Sequence, residues 1–463
     1  MRVAIFSPLS PVKSAIADYT EGLVPHLAKS LDVCVVTKGD YQPTNPLFTR
    51  DQAPIPWIGY QEFQRRSAEF DVVVYQLGDE ASMHGYMFDA LEHYPGLVVM
   101  HDLILHHAIC GMTLGQGNPD AYIAEMRYSY GEEGDRLARE VIAGRGEQII
   151  NHYPLVERVL DNSLGIIGHN NYVCSQISAL RPELPVRRIF QHFFLPEGFP
   201  DTFDGAAYRR QLGLDGRPVV ASFGFFIPDK RLGLVLRAFK RLLTRHPDAL
   251  YLLVGGTSPY YDFQGELATV GLSEHVRLTG WQTPVPFVKY MYVPDLAVHL
   301  RYPHIGGTPY TPIRLLGLGV PTITSDIEPL AELPANGVVR VMPNEPDEEA
   351  MLFAAMDYLL TRRDVALAMA GNGRRHVLEQ HGIDTICAQY VQFIQDIATQ
   401  QQDRLAEIKS RREFAHEALS DCDLAALTHI SGTALAEMGV TEPSDRLLLP
   451  VAQAIRSLVR HDA

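Results

Sequence analysis

The sequence lacks the features that would mark a membrane-spanning, disulfide-bonded or nucleic-acid-binding protein. No stretch reaches the roughly 18 consecutive apolar residues that a membrane-spanning helix needs. The 5 cysteines are odd in number, scattered and without a Cys-x-x-Cys pair, so we expect reduced thiols in a cytoplasmic protein. The formal net charge of −15 argues against nucleic acid as a partner, because a phosphate backbone requires a basic surface.

The length and the hydrophobic pattern predict two domains. A chain of 463 residues is too long for one compact core. Short apolar runs alternate with helical patterns in two successive series, which is typical of parallel sheets covered on both faces. We therefore expect an α/β protein with two Rossmann-like domains, residues 1–195 and 206–380, joined by a hinge rich in proline and glycine. Ligands of such sheets bind at the carboxyl ends of the strands, so the cleft between the domains is the expected site.

The stretch LRYPHIGGTPYTPIRLLGLGVPTITSD, residues 300–326, predicts a strand, a glycine turn, a short helix and another strand. Gly306 and Gly307 allow a tight turn and a close approach of the backbone to a ligand. Thr311 is the expected N-cap, and Gly319 is the expected residue after the end of the helix. Unpaired amides at such a helix start suit the phosphates of a ligand, although an ordinary strand–helix corner is the simpler explanation of the glycines.

Polar or glycine-bearing stretches also follow four predicted strands of the first half. They are SPLSPVKSAIADYTEGL, YQLGDEASMHGY, MHDLILHHAI and GHNNYV. Five segments, in order along the chain, resemble the motifs of retaining, family 4 (group 1) glycosyltransferases of the GT-B fold: SAIADYTEGL, MHDLILHH, GHNNYV, the loop FGFFIPDKR and the 300–326 stretch. The resemblance covers residues 1 to about 395. It implies two facing Rossmann-like domains, with the acceptor on the first and a nucleotide-diphosphate sugar on the second. It also implies that a helix at residues 381–400 crosses back to the first domain.

The resemblance places the donor diphosphate at the FGFFIPDKR loop. Gly224 and the following helix would supply amides, and Lys230 would supply a charge. A charge-assisted hydrogen bond contributes about 1.5–3 kcal/mol, against about 0.3–1 kcal/mol for a charge at an exposed helix start. Arg231 would make a second diphosphate contact, unless it only belongs to a solvated basic helix face. The remaining donor-binding residues implied are Gly306, Gly307, Thr308 and Arg314.

The chain departs from the family where two glutamates are usual. Gly306 or Gly307 and Arg314 stand at those positions, and no carboxylate lies between residues 300 and 325. In the family, transfer is thought to occur on one face, with the leaving diphosphate taking the proton of the acceptor. Positioning and electrostatic stabilisation of the leaving group would then carry most of the rate. The alternative is a catalytically silent sugar-nucleotide-binding protein that assists an active transferase.

In the first domain the resemblance implies His101 and Asp102 as the catalytic pair. The residues implied on the acceptor side are Ser14, Ala15, His84 and Asn170. We interpret His106 and His107 as structural and predict no metal, because a spacing of five or six residues from His101 does not stack ligands on one helix face. No cofactor is expected beyond the donor substrate and a hydroxyl acceptor.

Two regions leave further partners open. The basic helix face formed by Arg237, Lys240, Arg241 and Arg245 is either solvated or a peripheral membrane contact at the inner face of the membrane. Residues 401–463 are charged and helical in pattern. They could pack as an appendage, form a homo-oligomer or bind a partner, and the sequence does not choose among these.

Overall fold

The computed structural model describes residues 1–49 and 55–416. Residues 417–463, and with them most of the predicted C-terminal extension, lie outside the described part. Within it, no helix is both long and apolar enough to cross a membrane.

The first domain is a seven-stranded parallel sheet covered by helices on both faces. Its strands have the order β3-β2-β1-β4-β5-β6-β7. They are β1 (Arg2–Phe6), β2 (Asp32–Thr37), β3 (Trp57–Gly59), β4 (Val72–Leu77), β5 (Gly96–Met100), β6 (Ser163–Gly168) and β7 (Val186–Arg188). The helices are α1 (Ala15–Leu27), α2 (Tyr60–Arg66), α3 (Ala81–His93), α4 (His106–Met112), α5 (Pro119–Ile142), α6 (Glu147–His152), α7 (Glu157–Asp161) and α8 (Asn171–Leu180).

The second domain repeats this plan with six parallel strands in the order β10-β9-β8-β11-β12-β13. Its strands are β8 (Val219–Phe223), β9 (Leu250–Val254), β10 (Val276–Leu278), β11 (Leu296–His299), β12 (Thr322–Ser325) and β13 (Val339–Val341). The remaining helices are α9 (Gly205–Gln211), α10 (Leu232–Leu242), α11 (Phe263–Val270), α12 (Pro284–Met291), α13 (Tyr310–Gly317), α14 (Glu348–Thr361), α15 (Arg363–Gln380) and α16 (Ile383–His416).

The central strands are apolar on both faces because each face contacts a separate core. In β1, Val3 and Ile5 belong to one hydrophobic cluster, while Ala4 and Phe6 belong to the cluster on the opposite face. All four are at most 1% exposed. This burial explains why the strands are near-continuous apolar runs, and it confirms the predicted fold of two Rossmann-like sheets.

The long C-terminal helix α16 packs on the first domain. The Tyr390 hydroxyl lies 2.8 Å from that of Tyr19 on α1. Ile386, Phe393 and Ile394 are buried in the same cluster as β1. Chain segments from both ends of the sequence therefore close this core.

Candidate functional site

The two sheets each reverse their strand order at a central pair, and the loops at these points face each other. The reversal falls between β1 and β4 in the first sheet and between β8 and β11 in the second. In open α/β sheets the crevice at the carboxyl ends of such strands is where ligands bind. The relevant loops are those after β1, β4 and β5 on one side and those after β8 and β11 on the other.

Lys230 lies beside the end of β8, near Gly224, His299 and Thr311. We call this group of residues the Lys230 cradle. Gly224 adopts a left-handed backbone conformation with φ of 112°. A Cβ atom there would lie 3.8 Å from both the Lys230 Nζ and the Thr311 Oγ1. The Nζ is also 3.5 Å from the His299 Nε2, and no carboxylate pairs with it in the part of the chain that the structure describes. Burial, followed by the Arg301 charge, lowers the pKa of Lys230 to about 7. An anion bound beside the Nζ would raise the pKa of Lys230 again, because a negative charge favours the protonated lysine.

Two of the predicted diphosphate contacts, Gly224 and Arg231, have protein partners in this structure. The amide of Gly224 is not free, because it donates to the carbonyl of Val254 at 3.0 Å. Arg231 does not reach the cradle either, because its guanidinium forms a two-point ion pair with Glu348, with Nε 3.0 Å from Oε1. Glu348 is only 2% exposed, so this pair is structural.

Free amides lie instead at the start of α13. This helix begins at Tyr310 after the N-cap Pro309, two residues before the predicted first helical residue Pro312, and Thr311 is therefore not its N-cap. Within the described residues, nothing accepts a hydrogen bond from the amides of Gly307, Thr308, Tyr310 or Thr311. The amide of Gly306 is different, since it donates to the His304 Nδ1 at 3.2 Å. The turn and the first turn of α13 therefore offer four unpaired donors, and Thr311 of this helix lies near Lys230 at the Gly224 backbone.

The glycine turn contacts the other domain directly. A Cβ at Gly307 would lie 2.2 Å from the His101 carbonyl oxygen and 2.5 Å from the Asp102 Oδ1. The amides of Leu103 and Ile104 donate to the carbonyl of Ile305 at 2.8 and 3.0 Å. The close approach that requires glycine here is thus an approach between two protein loops, whereas the sequence suggested an approach to a ligand.

Asn170 joins the same contact from the end of β6. Its side-chain amide donates to the Gly306 carbonyl at 3.0 Å and to the Thr308 hydroxyl at 2.8 Å, and its oxygen caps α8 through the amide of Val173. The side chain is therefore an interdomain bridge in this structure, and its acceptor-side role stays a prediction.

The proposed catalytic pair has two different environments. His101 is 7% exposed, and its Nε2 lies 2.8 Å from the Gln76 Oε1. Burial holds the pKa of His101 well below its usual value, so the imidazole is neutral at physiological pH. Burial together with the charge of Asp79 raises the pKa of Asp102 to about 6. Asp102 is thus a carboxylate that titrates close to neutrality at the domain contact.

Asp79 and His107 form an ion pair that the sequence analysis did not predict. We call Asp79, Asp102 and His107 the acidic corner. The His107 Nδ1 lies 2.8 Å from the Asp79 Oδ2, and the amide of Ala108 donates to Asp79 at 2.8 Å. The hydrogen bond to Asp79 raises the pKa of His107. The Gly-Asp-Glu sequence directly after β4 was the available signal, because a carboxylate at a strand end lies at the same edge as His101.

The other predicted acceptor-side residues have structural contacts. Ser14 caps α1 by accepting from the amide of Ile16 at 3.1 Å, and Ala15 is the first residue of that helix. His84 is 1% exposed, and burial lowers its pKa to about 4. A Cβ at Gly78 would lie 3.2 Å from the His84 Nε2 and 3.4 Å from the Asp102 Oδ2, so His84 is a neighbour of Asp102 behind this loop.

Arg314 lies in the domain interface. It is 4% exposed, and its Nη1 is 3.6 Å from the Asp18 Oδ2 on α1 of the other domain. Its guanidinium packs 4.4 Å from the ring centre of Tyr310. The structure therefore places the Arg314 guanidinium between Asp18 of the first domain and Tyr310 of the second.

An exposed aromatic pair lies next to the cradle. Phe225 and Trp281 are 48% and 44% exposed and flank Gly256. Lys13 of the first domain lies 5.4 Å from the centre of the Trp281 ring. Gly255 connects this pair to the cradle, because a Cβ at Gly255 would lie 1.8 Å from the Gly224 carbonyl oxygen. Sequence patterns pointed to neither aromatic as a site residue.

Metal ligands are not grouped in this region. Among residues 1–49 and 55–416, no cluster of three or more His, Cys, Asp or Glu side chains could hold a metal ion.

The second domain carries the signature of a known family. The family described as "Glycosyl transferases group 1" matches residues 204–376. The match lies in the second domain. This domain holds the Lys230 cradle, the aromatic pair and the start of α13.

Two curated proteins that are similar to part of this chain are mannosyltransferases. The chain is 29% identical over 177 residues to the lipopolysaccharide core biosynthesis mannosyltransferase LpsB of Rhizobium meliloti, a match that covers 37% of this chain and 46% of the relative. It is 27% identical over 179 residues to a GDP-mannose-dependent α-(1-6)-phosphatidylinositol monomannoside mannosyltransferase of Mycolicibacterium smegmatis, covering 37% and 47%. The matches thus span about half the length of these relatives.

Solved structures establish the fold over a larger part of the chain. Anabaena HepE in complex with UDP and glucose has a TM-score of 0.62 at 15% identity, covering 86% of this chain and all of HepE. WaaG, a glycosyltransferase involved in lipopolysaccharide biosynthesis, has a TM-score of 0.57 at 12% identity, covering 85% and 99%. At these low identities the similarity shows that this part of the chain has the GT-B fold, and it shows nothing beyond the fold.

Proposed function

We propose that the protein is a glycosyltransferase that moves a sugar from a nucleotide-diphosphate donor to an acceptor hydroxyl in glycan or polysaccharide biosynthesis. The observation that carries the proposal is the Lys230 cradle, where an amine with no anionic partner among the described residues lies near Thr311, whose backbone amide in the first turn of α13 is unpaired. A diphosphate supplies the charge and the acceptor oxygens that both groups lack.

The neighbouring residues suggest how the donor lies. The exposed rings of Phe225 and Trp281 offer flat faces for a nucleobase next to Gly255 and Gly256. The diphosphate would occupy the cradle of Lys230 and Thr311. The sugar would then extend towards the first domain, where Asp102 is the nearest titratable group of the acidic corner.

The chemistry follows from the charges. As the bond between the anomeric carbon and the diphosphate breaks, negative charge grows on the leaving oxygen, where Lys230 and the α13 amides can stabilise it. The acceptor oxygen forms its bond to the anomeric carbon on the same face, and its proton passes to the leaving diphosphate. Anomeric configuration is then retained. In this scheme Asp102 and His101 are assigned to positioning the sugar or the acceptor hydroxyl.

A donor panel tests the proposal. GDP-mannose and UDP-glucose head the panel because the names of the similar proteins mention GDP-mannose, UDP and glucose. Lys230→Ala should weaken donor binding by about 10- to 100-fold, from the loss of a charge-assisted contact of about 1.5–3 kcal/mol. Lys240→Ala is the matched control, since Lys240 is on the exposed side of α10 and donates to the Val270 carbonyl. Equal effects of the two changes would contradict the proposal.

The stereochemical part has its own measurement. The anomeric proton coupling of the product, read by NMR, distinguishes retention from inversion. A product with inverted anomeric configuration would contradict the same-face mechanism. It would not contradict the proposed donor site.

One observation favours a second candidate, a silent sugar-nucleotide-binding partner of an active transferase. The Gly307 turn touches the His101–Asp102 turn directly, so the sugar position is narrow in this conformation. The stretch 300–325 also lacks a carboxylate. Binding across the panel with neither transfer nor donor hydrolysis would support this candidate. Turnover abolished by Lys230→Ala would exclude it.

A cytoplasmic location remains part of the proposal, whereas the basic face of α10 gives little support to membrane contact. Arg237 pairs with Glu349 at 2.9 Å, and Arg245 pairs with Asp357 at 3.0 Å. Charges that are already paired attract an anionic surface less than free ones.

A further inference from the structure

We infer that the ligand-free protein blocks its own cleft. A turn of the second domain, residues 304–308, is fastened to the first domain over the Asp102 carboxylate and has to be released before a sugar can enter. We call this contact the interdomain latch, and its hydrogen-bond donors are Leu103, Ile104, Asn170 and Gln191 of the first domain. That the blocked space is the sugar position rests on the proposed function, whereas the latch itself does not.

Two buried side chains of the first domain hold the turn. Asn170 is 1% exposed and donates to the Gly306 carbonyl at 3.0 Å and to the Thr308 hydroxyl at 2.8 Å. Gln191 is 5% exposed, and its Nε2 donates to the Thr308 carbonyl at 2.9 Å. Hydrogen bonds that are shielded from water are stronger than exposed ones, so these contacts hold the turn in one position.

The fastened turn fills the space in front of Asp102. A Cβ at Gly307 would lie 2.5 Å from the Asp102 Oδ1, and a Cβ at Gly306 would lie 2.5 Å from the Leu103 Cβ. Both distances are shorter than any non-bonded contact between these atoms allows. Because the gap does not admit one methyl group, it does not admit a sugar ring, and the turn has to move away first.

The helix that follows the turn shows why the latch can open. Arg314 of α13 is 4% exposed, and its Nε and Nη2 have no hydrogen-bond partner among the described residues. The same is true of both ring nitrogens of His192, which is fully buried with its ring centre 4.5 Å from that of Tyr19 and 6.1 Å from that of Tyr310. Buried polar groups without partners are unfavourable. Separation of α1 and α13 would return water to them, which offsets the loss of the latch bonds.

The latch should discriminate between ligands by the sugar that they carry. The Lys230 Nζ has its contact with His299 in the second domain, so a diphosphate can reach it while the turn stays fastened. A ligand that needs the released turn binds with an affinity reduced by the fraction of molecules in which the turn is released. Weakening the latch should therefore tighten the binding of nucleotide sugars and leave that of nucleoside diphosphates unchanged.

Two substitutions weaken the latch and keep the local structure. Gln191→Met removes the donor but keeps the Gln191 carbonyl, which accepts from the His381 Nδ1. Asn170→Ser removes the bridging amide but keeps a good N-cap for α8. Gln116→Met is the matched control, because the Gln116 side chain donates to a backbone carbonyl of its own domain. Substitution of Gly307 does not test the latch, because its unpaired amide is also assigned to the donor.

Hydrogen exchange on the full chain, followed by mass spectrometry, measures the release without any ligand. The amides of Leu103 and Ile104 both donate to the Ile305 carbonyl of the other domain, so they exchange when the latch opens. We expect these two amides to exchange about tenfold or more faster in Gln191→Met and in Asn170→Ser than in the wild type and Gln116→Met. The amides within β5 should be unchanged in all four proteins, which separates release of the latch from unfolding of the domain.

Calorimetry with GDP-mannose, UDP-glucose, GDP and UDP measures the effect on binding. We expect both latch variants to bind at least one nucleotide sugar severalfold more tightly than the wild type does, with GDP and UDP unchanged. Exchange of Leu103 and Ile104 that is unchanged in both variants would overturn the inference. So would nucleotide sugars that bind the variants equally or more weakly, or a gain that GDP and UDP share.

Failure of the proposed function gives a different pattern. If the two amides exchange faster in the variants while none of the four nucleotides binds any of the proteins, the latch stands and the transferase proposal fails. If nucleotide sugars bind and Lys230→Ala weakens them, while exchange is the same in all four proteins, the latch alone fails.

Discussion

Donor binding should take up a proton, because the ligand-free cradle holds Lys230 with a pKa of about 7 instead of its usual 10.5. A diphosphate next to the Nζ favours the charged form, so the pKa rises when the donor binds. At about pH 8 a group with a pKa near 7 is about nine-tenths neutral. We therefore expect uptake of about 0.9 proton per donor bound at that pH.

The sign of the pH dependence follows from the same shift. Below about pH 7 the lysine is already charged, and affinity is at its maximum. Above it, each further pH unit should weaken binding by up to about tenfold, or about 1.4 kcal/mol, until the pKa of the complex is reached. Asp102 contributes little at about pH 8, because its pKa of about 6 leaves it ionised there.

Isothermal titration calorimetry in two buffers of different ionisation enthalpy measures this uptake. The ligand should be a nucleotide sugar, because the terminal phosphate of a free nucleoside diphosphate titrates near pH 6 and would obscure the result. Lys230→Arg keeps the charge but should take up no proton, since arginine does not deprotonate near neutrality. No uptake by the wild type, or equal uptake by Lys230→Ala, would refute the reasoning.

Three further changes separate binding from stability. Lys230→Met should raise the thermal stability of the ligand-free protein at about pH 6, by about 1–3 kcal/mol, because it removes a poorly solvated charge; an unchanged melting temperature would contradict the low pKa. Arg231→Ala should lower the free energy of unfolding by about 3–5 kcal/mol, because it leaves Glu348 unpaired. At a temperature where this variant is folded, its donor affinity, measured by calorimetry, should be nearly that of the wild type. Gly307→Ala should lower stability and turnover because its Cβ has no space against the other domain, whereas Gly371→Ala, with nothing within 4 Å, should stabilise α15 by about 0.5–1 kcal/mol in denaturant unfolding.

Local signals in the sequence were sufficient where the structure depends on neighbouring residues. Gly319 has φ of 76°, as expected of the residue after the end of a helix. Lys230 follows a strand and a glycine, and it lies beside Gly224 only six residues earlier in the same loop. The glycine pair was predicted as a turn, and Gly306 does adopt a left-handed conformation with φ of 84°.

Partners distant in sequence decided the residues that the predictions misplaced. Arg231 pairs with Glu348, 117 positions away, and Asn170 bonds to Thr308, 138 positions away. No periodicity or motif indicates such pairs, because they exist only once helices and domains have packed. The same is true of Arg314, which the resemblance assigns to the donor and the structure places near Asp18.

The sequence by itself determined that the protein has two α/β sheets and that a lysine follows the central strand of the second. Apolar runs buried on both faces and short loop motifs encode these features within a few residues of one another. Only the tertiary structure decided which hydrogen-bond donors stay unpaired in the cleft. That outcome depends on which acceptors from elsewhere in the chain reach each donor. The Gly224 amide donates to the backbone carbonyl of Val254 in β9, whereas the amides of Tyr310 and Thr311 in α13 have no acceptor among the described residues.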